Sequence, residues 1–519
     1  MTYHPAESFW EWRERIKRLM AGGAASEKTA ERKNDYLPAL GVAPLNEKLI
    51  QTIWAQQLIQ GSGLRLADGR PLRVLDPGRA SGDGPDFQGA RLLVDDQSVE
   101  GDIEIHIDAS GWQAHGHHRD LDYNRVALHV VLHIDDGAAF DLAHNGSKIP
   151  RLEIEKYIFP DLDTLRRSLT PDDFAYAQPA EAGRCQTVLM SLDHLVLADF
   201  LDRAGDERLV AKMQRLQEQA AQTDIEQVFY QSMMMSLGGS GSAKTLYYLL
   251  AKRTPLAELS DFAAELPEQE RPTAIEALLL AVAGLLPNAL EMVDAPAESI
   301  ERRDKLAGYW EKWHSYWCDR LIPANRRWFQ GMRPVNFPTR RLAGVAVILS
   351  RAINRKKFPL ADLLGHIRAG QGALEASGPR KKRHPVVEDL VEWFRVGGEG
   401  HFWGNHYSFT AKPAGRTMDL IGEGAALSLV LNALAPAALL AARRANDEQL
   451  ESAVCRLYAL IPPLQSNHIT EFMTKRLFGD ADWARGLINT ERRRQALFQI
   501  FHTCCNAEER NCEACYFRK

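Results

Sequence analysis

Asp86, Glu104 and His106 are the side chains whose types and spacing point most directly to chemistry. From Val99 to Ile107 the isoleucines Ile103, Ile105 and Ile107 alternate with Asp102, Glu104, His106 and Asp108. A period of two puts the isoleucines on one face of a strand and Glu104 with His106 on the other. Upstream, Gly84-Pro85-Asp86-Phe87 sets a carboxylate on the turn that enters Gln88 to Val94, and Asp95-Asp96-Gln97 returns the chain as a hairpin. The hairpin brings Asp86 within reach of Glu104. Two carboxylates in one small space repel unless a cation lies between them, and hard oxygen ligands suit Mg²⁺ or Mn²⁺. Such an ion polarises a phosphodiester and activates a water. A neutral imidazole at His106 would position or deprotonate that water.

Three further groupings carry chemistry. His106, His115, His117, His118, His129 and His133 fall close together, beside Asp120, Asp122, Tyr123 and Asn124. Taken as a group they line a site, with His117, Asp122 and Tyr123 as supporting or substrate-contacting residues. Imidazoles with carboxylates also ligate zinc, so a His-rich zinc hydrolase is a rival chemistry, although no HExxH spacing accompanies it. Near the end of the chain, Cys505, Cys512 and Cys515 form a C-x6-C-x2-C array next to Cys504. Thiolates at that spacing wrap a metal such as zinc, and Cys185 is the expected remote ligand. Between Arg320 and Arg383, basic residues are opposed only by Asp362 and Glu375 and are interleaved with Trp328, Phe329 and Phe337. Cations neutralise phosphates and flat rings stack on bases, so Arg333, Arg340 and Arg341 are candidate nucleic-acid contacts. Gly238 to Thr245 superficially resembles a phosphate loop, but Ala243 replaces the glycine before Lys244, which predicts a turn between helices. Trp403-Gly404-Asn405-His406-Tyr407 reads as packing.

Short β-type runs at Leu72 to Leu75, Ala90 to Val94, Val99 to Ile107 and Val126 to Ile134 would hold these groups. Before them, Leu45, Leu49, Ile50, Ile53, Trp54 and Leu58 recur at helical spacing with Asn46 as a cap. Beyond about residue 190 the period becomes helical, as in Leu192 to Leu201, Ile275 to Leu286 and Leu342 to Ile353. The expected organisation is an N-terminal helical extension over 1–44, an α/β domain with a mixed sheet over 45–160, a helical domain with the basic stretch over 190–370, and a helical C-terminal region with the cysteines over 385–519. Thr170 to Gly183 and Ala369 to Pro385 read as linkers. With 519 residues, 45% hydrophobic and 25% charged, the chain is globular, not fibrous or disordered. A net charge of -5 excludes bulk attraction to nucleic acid and leaves it to local patches. Charged residues from Glu7 to Arg15 interrupt any secretion signal, and Ala425 to Ala442 contains Ser428, Asn432 and Pro436, which predicts buried helix, not a membrane span. A cytoplasmic protein with no membrane partner is expected. Protein partners are not indicated.

Pro85-Asp86 followed by Glu104-Ile105-His106 resembles the proline-aspartate, acid-x-lysine signature of the restriction-endonuclease-like nucleases, with His106 in place of their Lys. The resemblance implies a mixed sheet flanked by helices, Asp86 and Glu104 as metal ligands, and Glu47 on the preceding helix as an outer acidic ligand. A wider set of residues is similar to a bacterial family known as domain of unknown function 2851. It comprises Gly84 to Phe87, Gly101 to His106, Trp112, His115 to His118, Asp122-Tyr123, Val126, Leu128 to Val131, Arg333 to Ala343 and the closing cysteines. The cysteine pattern also resembles the iron–sulfur staple of some RecB-like nucleases, in which one upstream cysteine joins a C-terminal triplet. The function expected is a Mg²⁺- or Mn²⁺-dependent nuclease acting on DNA. The alternatives are a nucleic-acid-binding or scaffold protein inactivated by loss of the lysine, and the zinc hydrolase.

Overall fold

A computed structural model describes residues 45–60, 63–81, 84–169, 183, 185–239, 242–324, 326–329, 332–376, 383–479 and 482–505. The expected extension over 1–44, nearly all of the 170–183 linker, Arg380 to Lys382, and Cys512 and Cys515 lie outside these residues. The described residues form two compact units, one within 42–179 together with 242–245, the other within 183–239 and 246–505. The two helical regions expected over 190–370 and 385–519 therefore belong to a single unit. Helix His194–Gln219 joins them by packing along Glu491–Ile500, where Arg492 Nε meets Asp206 Oδ1 at 2.7 Å and Arg493 Nε meets Asp202 Oδ1 at 2.8 Å. Gly205 permits that approach: a Cβ there would stand 2.1 Å from the Arg492 carbonyl oxygen.

The sheet unit opens with α1 (Glu47–Ala55), capped by Asn46, whose side chain accepts from the Leu49 N–H at 3.1 Å. Leu49, Ile50, Ile53 and Trp54 are buried along one stripe. The strands are β1 (Leu72–Asp76), β2 (Arg79–Ala80), β3 (Phe87–Val94), β4 (Gln97–Asp108), β5 (Val126–His133), β6 (Phe140–Leu142) and β7 (Lys148–Glu153). They form a mixed seven-stranded sheet in the order β1-β3-β4-β5-β7-β6, with β2 on β3. The first strands pair antiparallel, β4 and β5 run parallel, β5 and β7 run parallel, and β6 returns antiparallel to β7. The β3–β4 hairpin turns at Asp95 and Asp96, with φ of 54° and 60°. Two left-handed residues match the twist of a two-residue hairpin, and aspartate tolerates that backbone better than most side chains.

Ile103, Ile105, Leu128, Val130 and Leu132 share one core with the α1 stripe. The opposite face is also covered. Trp112, from the short helix α2 (Gly111–Ala114), packs with Tyr123, Val126, Ala143 and Ile149. Alternation along β4 therefore separates two buried environments, and the polar one holds Asp102, Glu104 and His106. Strands β6 and β7, which the strand pattern of the sequence did not announce, complete that side of the sheet.

Helix Ile225–Leu237 ends and the next helix begins at Ser242, as expected of the Gly238 to Thr245 stretch. Trp403 is buried and donates Nε1–H to Glu276 Oε1 at 2.8 Å. Glu423–Arg444 is one continuous helix, α-helical to Leu429 and from Ala435, with a π segment at Val430–Leu434 between. The wide turn stands just before Pro436, which lacks an N–H to donate. Among the described residues it is the one helix long and apolar enough to cross a membrane, yet 78% of its most apolar window is buried within the protein.

Candidate metal centre

Asp86 and Glu104 are locked together through the backbone. The Asp86 N–H donates to Glu104 Oε2 at 3.1 Å, and the Ile105 N–H donates to Asp86 Oδ2 at 3.0 Å. The register of β3 on β4, Phe87 opposite Ile103, fixes this geometry. From α1, Lys48 Nζ donates to Gln51 Oε1 at 2.8 Å and Gln51 Nε2 donates to Asp86 Oδ1 at 2.6 Å. Burial, and then the charge of Glu104, push the Asp86 carboxyl up to about 8. Burial likewise pushes Glu104 up to about 8. Lys48 opposes both shifts and Glu47 adds to both, so the helix brings a cation and an acid to the pair. Two neighbouring acids withdrawn from bulk water favour whatever neutralises them, a proton or a metal ion.

His106 is 1% exposed, and both of its ring nitrogens are engaged by other imidazoles. Nδ1 lies 2.9 Å from His129 Nε2, and Nε2 lies 3.0 Å from His115 Nδ1. Burial, then the neighbouring rings of His129, His117 and His115, push His106 down to about 2, so it is neutral. His129 Nδ1 is 2.7 Å from Asp141 Oδ2, and Arg151 bonds the same carboxylate through Nε at 2.7 Å and Nη2 at 2.6 Å. Burial favours the neutral form of Asp141, but these hydrogen bonds more than offset it and hold the group below its ordinary value. Asp141 is therefore an acceptor, and the tautomers follow in order along the chain. His129 donates Nδ1–H to Asp141, His106 donates Nδ1–H to His129, and His115 donates Nδ1–H to His106 Nε2.

His117 joins the same cluster, its ring centroid 5.3 Å from that of His106. Its Nε2 lies 3.1 Å from Glu104 Oε1 but off the line of a hydrogen bond, so that buried nitrogen has no hydrogen-bond partner. Tyr123 stacks on the ring at 3.9 Å between centroids. Burial pushes His117 down and Tyr123 up from their ordinary values. The Nε2 atom of His106 is 3.8 Å from the same Glu104 oxygen. Ligand atoms of His106, His115 and His117 all lie within 4.8 Å of one another.

The structure thus brings together Asp86, Glu104, His106, His117 and Tyr123, while Asp122 is exposed on the adjoining 3₁₀ turn. It corrects the expected role of His106: with both nitrogens held by other rings, it is not a freestanding base for water. Gln51, Lys48, Asp141 and Arg151 were missed from sequence. The signal for the last two was the Asn145-Gly146 turn between apolar residues alternating on either side, a hairpin pattern.

The helical unit corrects two of the expected nucleic-acid contacts. Arg340 is 0% exposed and donates to the backbone carbonyls of Trp403, His406, Met418 and Asp419. Arg341 donates to the Leu420 carbonyl and to Asn336 Oδ1, both at 2.6 Å. Their guanidiniums close chain loops instead of facing phosphates. Trp328 is buried too, and Phe329 packs edge-on to Phe337. Arg333 is exposed. Cys185 is buried at the head of helix Gln186–Ser191, and Cys505 ends the turn after Glu491–Ile500, whereas Cys512 and Cys515 lie outside the described residues.

The profile of the DUF2851 family, proteins of unknown function, matches residues 47–467. The chain belongs to the DUF2851 family. No curated protein and no solved structure matches it. The matched span covers the whole of α1, the carboxylate pair, the imidazole chain with Asp141 and Arg151, and Arg340.

Proposed function

We propose that the sheet unit is a metal-dependent nuclease that hydrolyses phosphodiester bonds, with DNA as its substrate. The observation that carries this reading is the backbone-locked pair of half-buried Asp86 and buried Glu104, both raised to about 8, on the hairpin beside a parallel strand. These two residues would hold Mg²⁺ or Mn²⁺. The ion supplies polarisation of the phosphate and acidification of a bound water. Lys48 provides the fixed positive charge that His106 lacks, and it is coupled to Asp86 through Gln51. Tyr123 holds His117 against Glu104. In this reading Arg333 remains a phosphate contact, the closing cysteines hold zinc or an iron–sulfur cluster, and the protein works in the cytoplasm, where thiols stay reduced.

The test is cleavage of single- and double-stranded DNA and RNA with Mn²⁺ or Mg²⁺, comparing wild type with Asp86→Ala and Glu104→Ala, each checked for folding by circular dichroism. Metal-dependent cleavage lost in both variants is the expected result. A wild type that binds nucleic acid but cuts none overturns catalysis in favour of a binding protein.

A further inference from the structure

Resting on the cation-dependent reading above, we propose that the site takes a nitrogen-ligated transition metal, held by Glu104 Oε1 with His106, His115 and His117, and that Asp141, acting through His129, sets the His106 ring to receive it. Glu104 Oε1 stands 3.1 Å from His117 Nε2 and 3.8 Å from His106 Nε2, and His106 Nε2 stands 3.0 Å from His115 Nδ1. Donors bonded at about 2.0–2.2 Å to one tetrahedral ion are separated by roughly 3.3–3.6 Å. These three separations bracket ligand spacing, and the imidazole ligand atoms as a set lie within 4.8 Å of one another, so small ring rotations bring them onto one ion. Mg²⁺ favours oxygen donors in an octahedron, whereas imidazole with carboxylate suits zinc and its transition-metal neighbours.

A second observation points the same way. The Nε2 atom of His117 is buried without a hydrogen-bond partner, in a residue 8% exposed, and it lies 3.1 Å from Glu104 Oε1. An orphaned buried polar atom carries an uncompensated desolvation cost, which a ligand bond removes. The remaining geometry is that of supported ligands, in which the ring nitrogen away from the metal donates to a fixed acceptor. Arg151 fixes Asp141, Asp141 takes the Nδ1–H of His129, and His129 takes the Nδ1–H of His106. That leaves the lone pair of His106 Nε2 directed toward His115 Nδ1, with Glu104 Oε1 3.8 Å from the same nitrogen. The proton that His115 Nδ1 now shares with His106 moves to its own Nε2, because His115 is exposed and can change tautomer, so the imidazoles release no proton and the proton given up is that of the Glu104 carboxyl.

The experiment titrates the metal-free full chain carrying Cys512→Ser and Cys515→Ser with Co²⁺ and reads the visible ligand-field absorption. The expected result is one Co²⁺ with a nitrogen–oxygen spectrum, an affinity lowered at least tenfold by His117→Ala and by His115→Ala, and a tenfold to hundredfold loss with a shifted spectrum in Asp141→Asn. Wild-type affinity and spectrum in the first two variants overturn the ligand set, and in Asp141→Asn they overturn its positioning role. Histidine ¹⁵N NMR of the wild type with Zn²⁺ needs no variant: unmoved Nε2 resonances of His106 and His117 overturn the proposal. Co²⁺ bound as expected with no cleavage of nucleic acid refutes the nuclease and leaves the metal assignment standing. Mg²⁺-supported cleavage that survives His117→Ala does the reverse.

Discussion

Glu104→Gln should stabilise the metal-free protein at neutral and alkaline pH. Glu104 is 6% exposed, and its carboxyl rises from an ordinary value of 4.5 to about 8, chiefly because burial disfavours the anion. A carboxyl raised by folding holds its proton more tightly in the native state, so the unfolded chain binds fewer protons over the window between the two values. The stability tied to that proton is whole below about pH 4 and is lost as the pH climbs through about 8, with about 3 kcal/mol gone by pH 7. Gln keeps an acceptor for the Asp86 N–H, and its amide can donate to the orphaned His117 nitrogen, so the substitution removes the titrating charge with little change of shape. In chelator, urea unfolding followed by near-UV circular dichroism should show the wild type losing stability from about pH 5 to about pH 8 and the variant overtaking it by up to about 3 kcal/mol. Saturating Mn²⁺ should reverse the order, because only the wild type retains the anionic ligand. A metal-free wild type whose stability is flat or rises over that range, or a variant less stable than wild type at about pH 8, would refute the electrostatic account of the pair.

Gly111→Ala places a Cβ 2.6 Å from His106 Cδ2 and 2.8 Å from Cγ, so it should displace that ring, lower cleavage by about a hundredfold and cost about 1–3 kcal/mol, read by kcat and by Tm. Lys48→Met removes the cation nearest the carboxylate pair and should lower kcat by about a hundredfold without weakening Mn²⁺ binding measured by calorimetry. An unchanged kcat would reassign that role. Arg340→Met strips buried carbonyls at Trp403, His406, Met418 and Asp419 of their donor and should destabilise the helical unit by about 3 kcal/mol or more, while DNA affinity of the folded variant stays at the wild-type level.

Much of the sheet unit is legible in the chain itself. Alternation from Ile103 to Asp108 places Glu104 and His106 on one face, the Asp95-Asp96 turn makes a hairpin, and the hairpin joins Asp86 to Glu104. These are short-range patterns, and backbone geometry converts them into structure with few alternatives. Helical spacing after residue 190 likewise announced the second unit, because a period of 3.6 survives whatever the helix packs on.

Burial and long-range pairing were not legible. Sequence alone made Arg340 a phosphate contact because its neighbours are basic, but packing placed it at 0% exposure among carbonyls. It made His106 a base for water, yet the parallel pairing of β4 with β5 set Glu104 opposite His129, and the β6–β7 hairpin brought Asp141 and Arg151 up behind that ring. Whether a polar side chain faces solvent, a carbonyl or another imidazole is decided by which distant strand lies beside it. Residue types and local periods determined that carboxylates and imidazoles would share a strand face. Tertiary structure alone decided that the face would be buried, since desolvation and the order of hydrogen bonds belong to the packed site and not to any one segment.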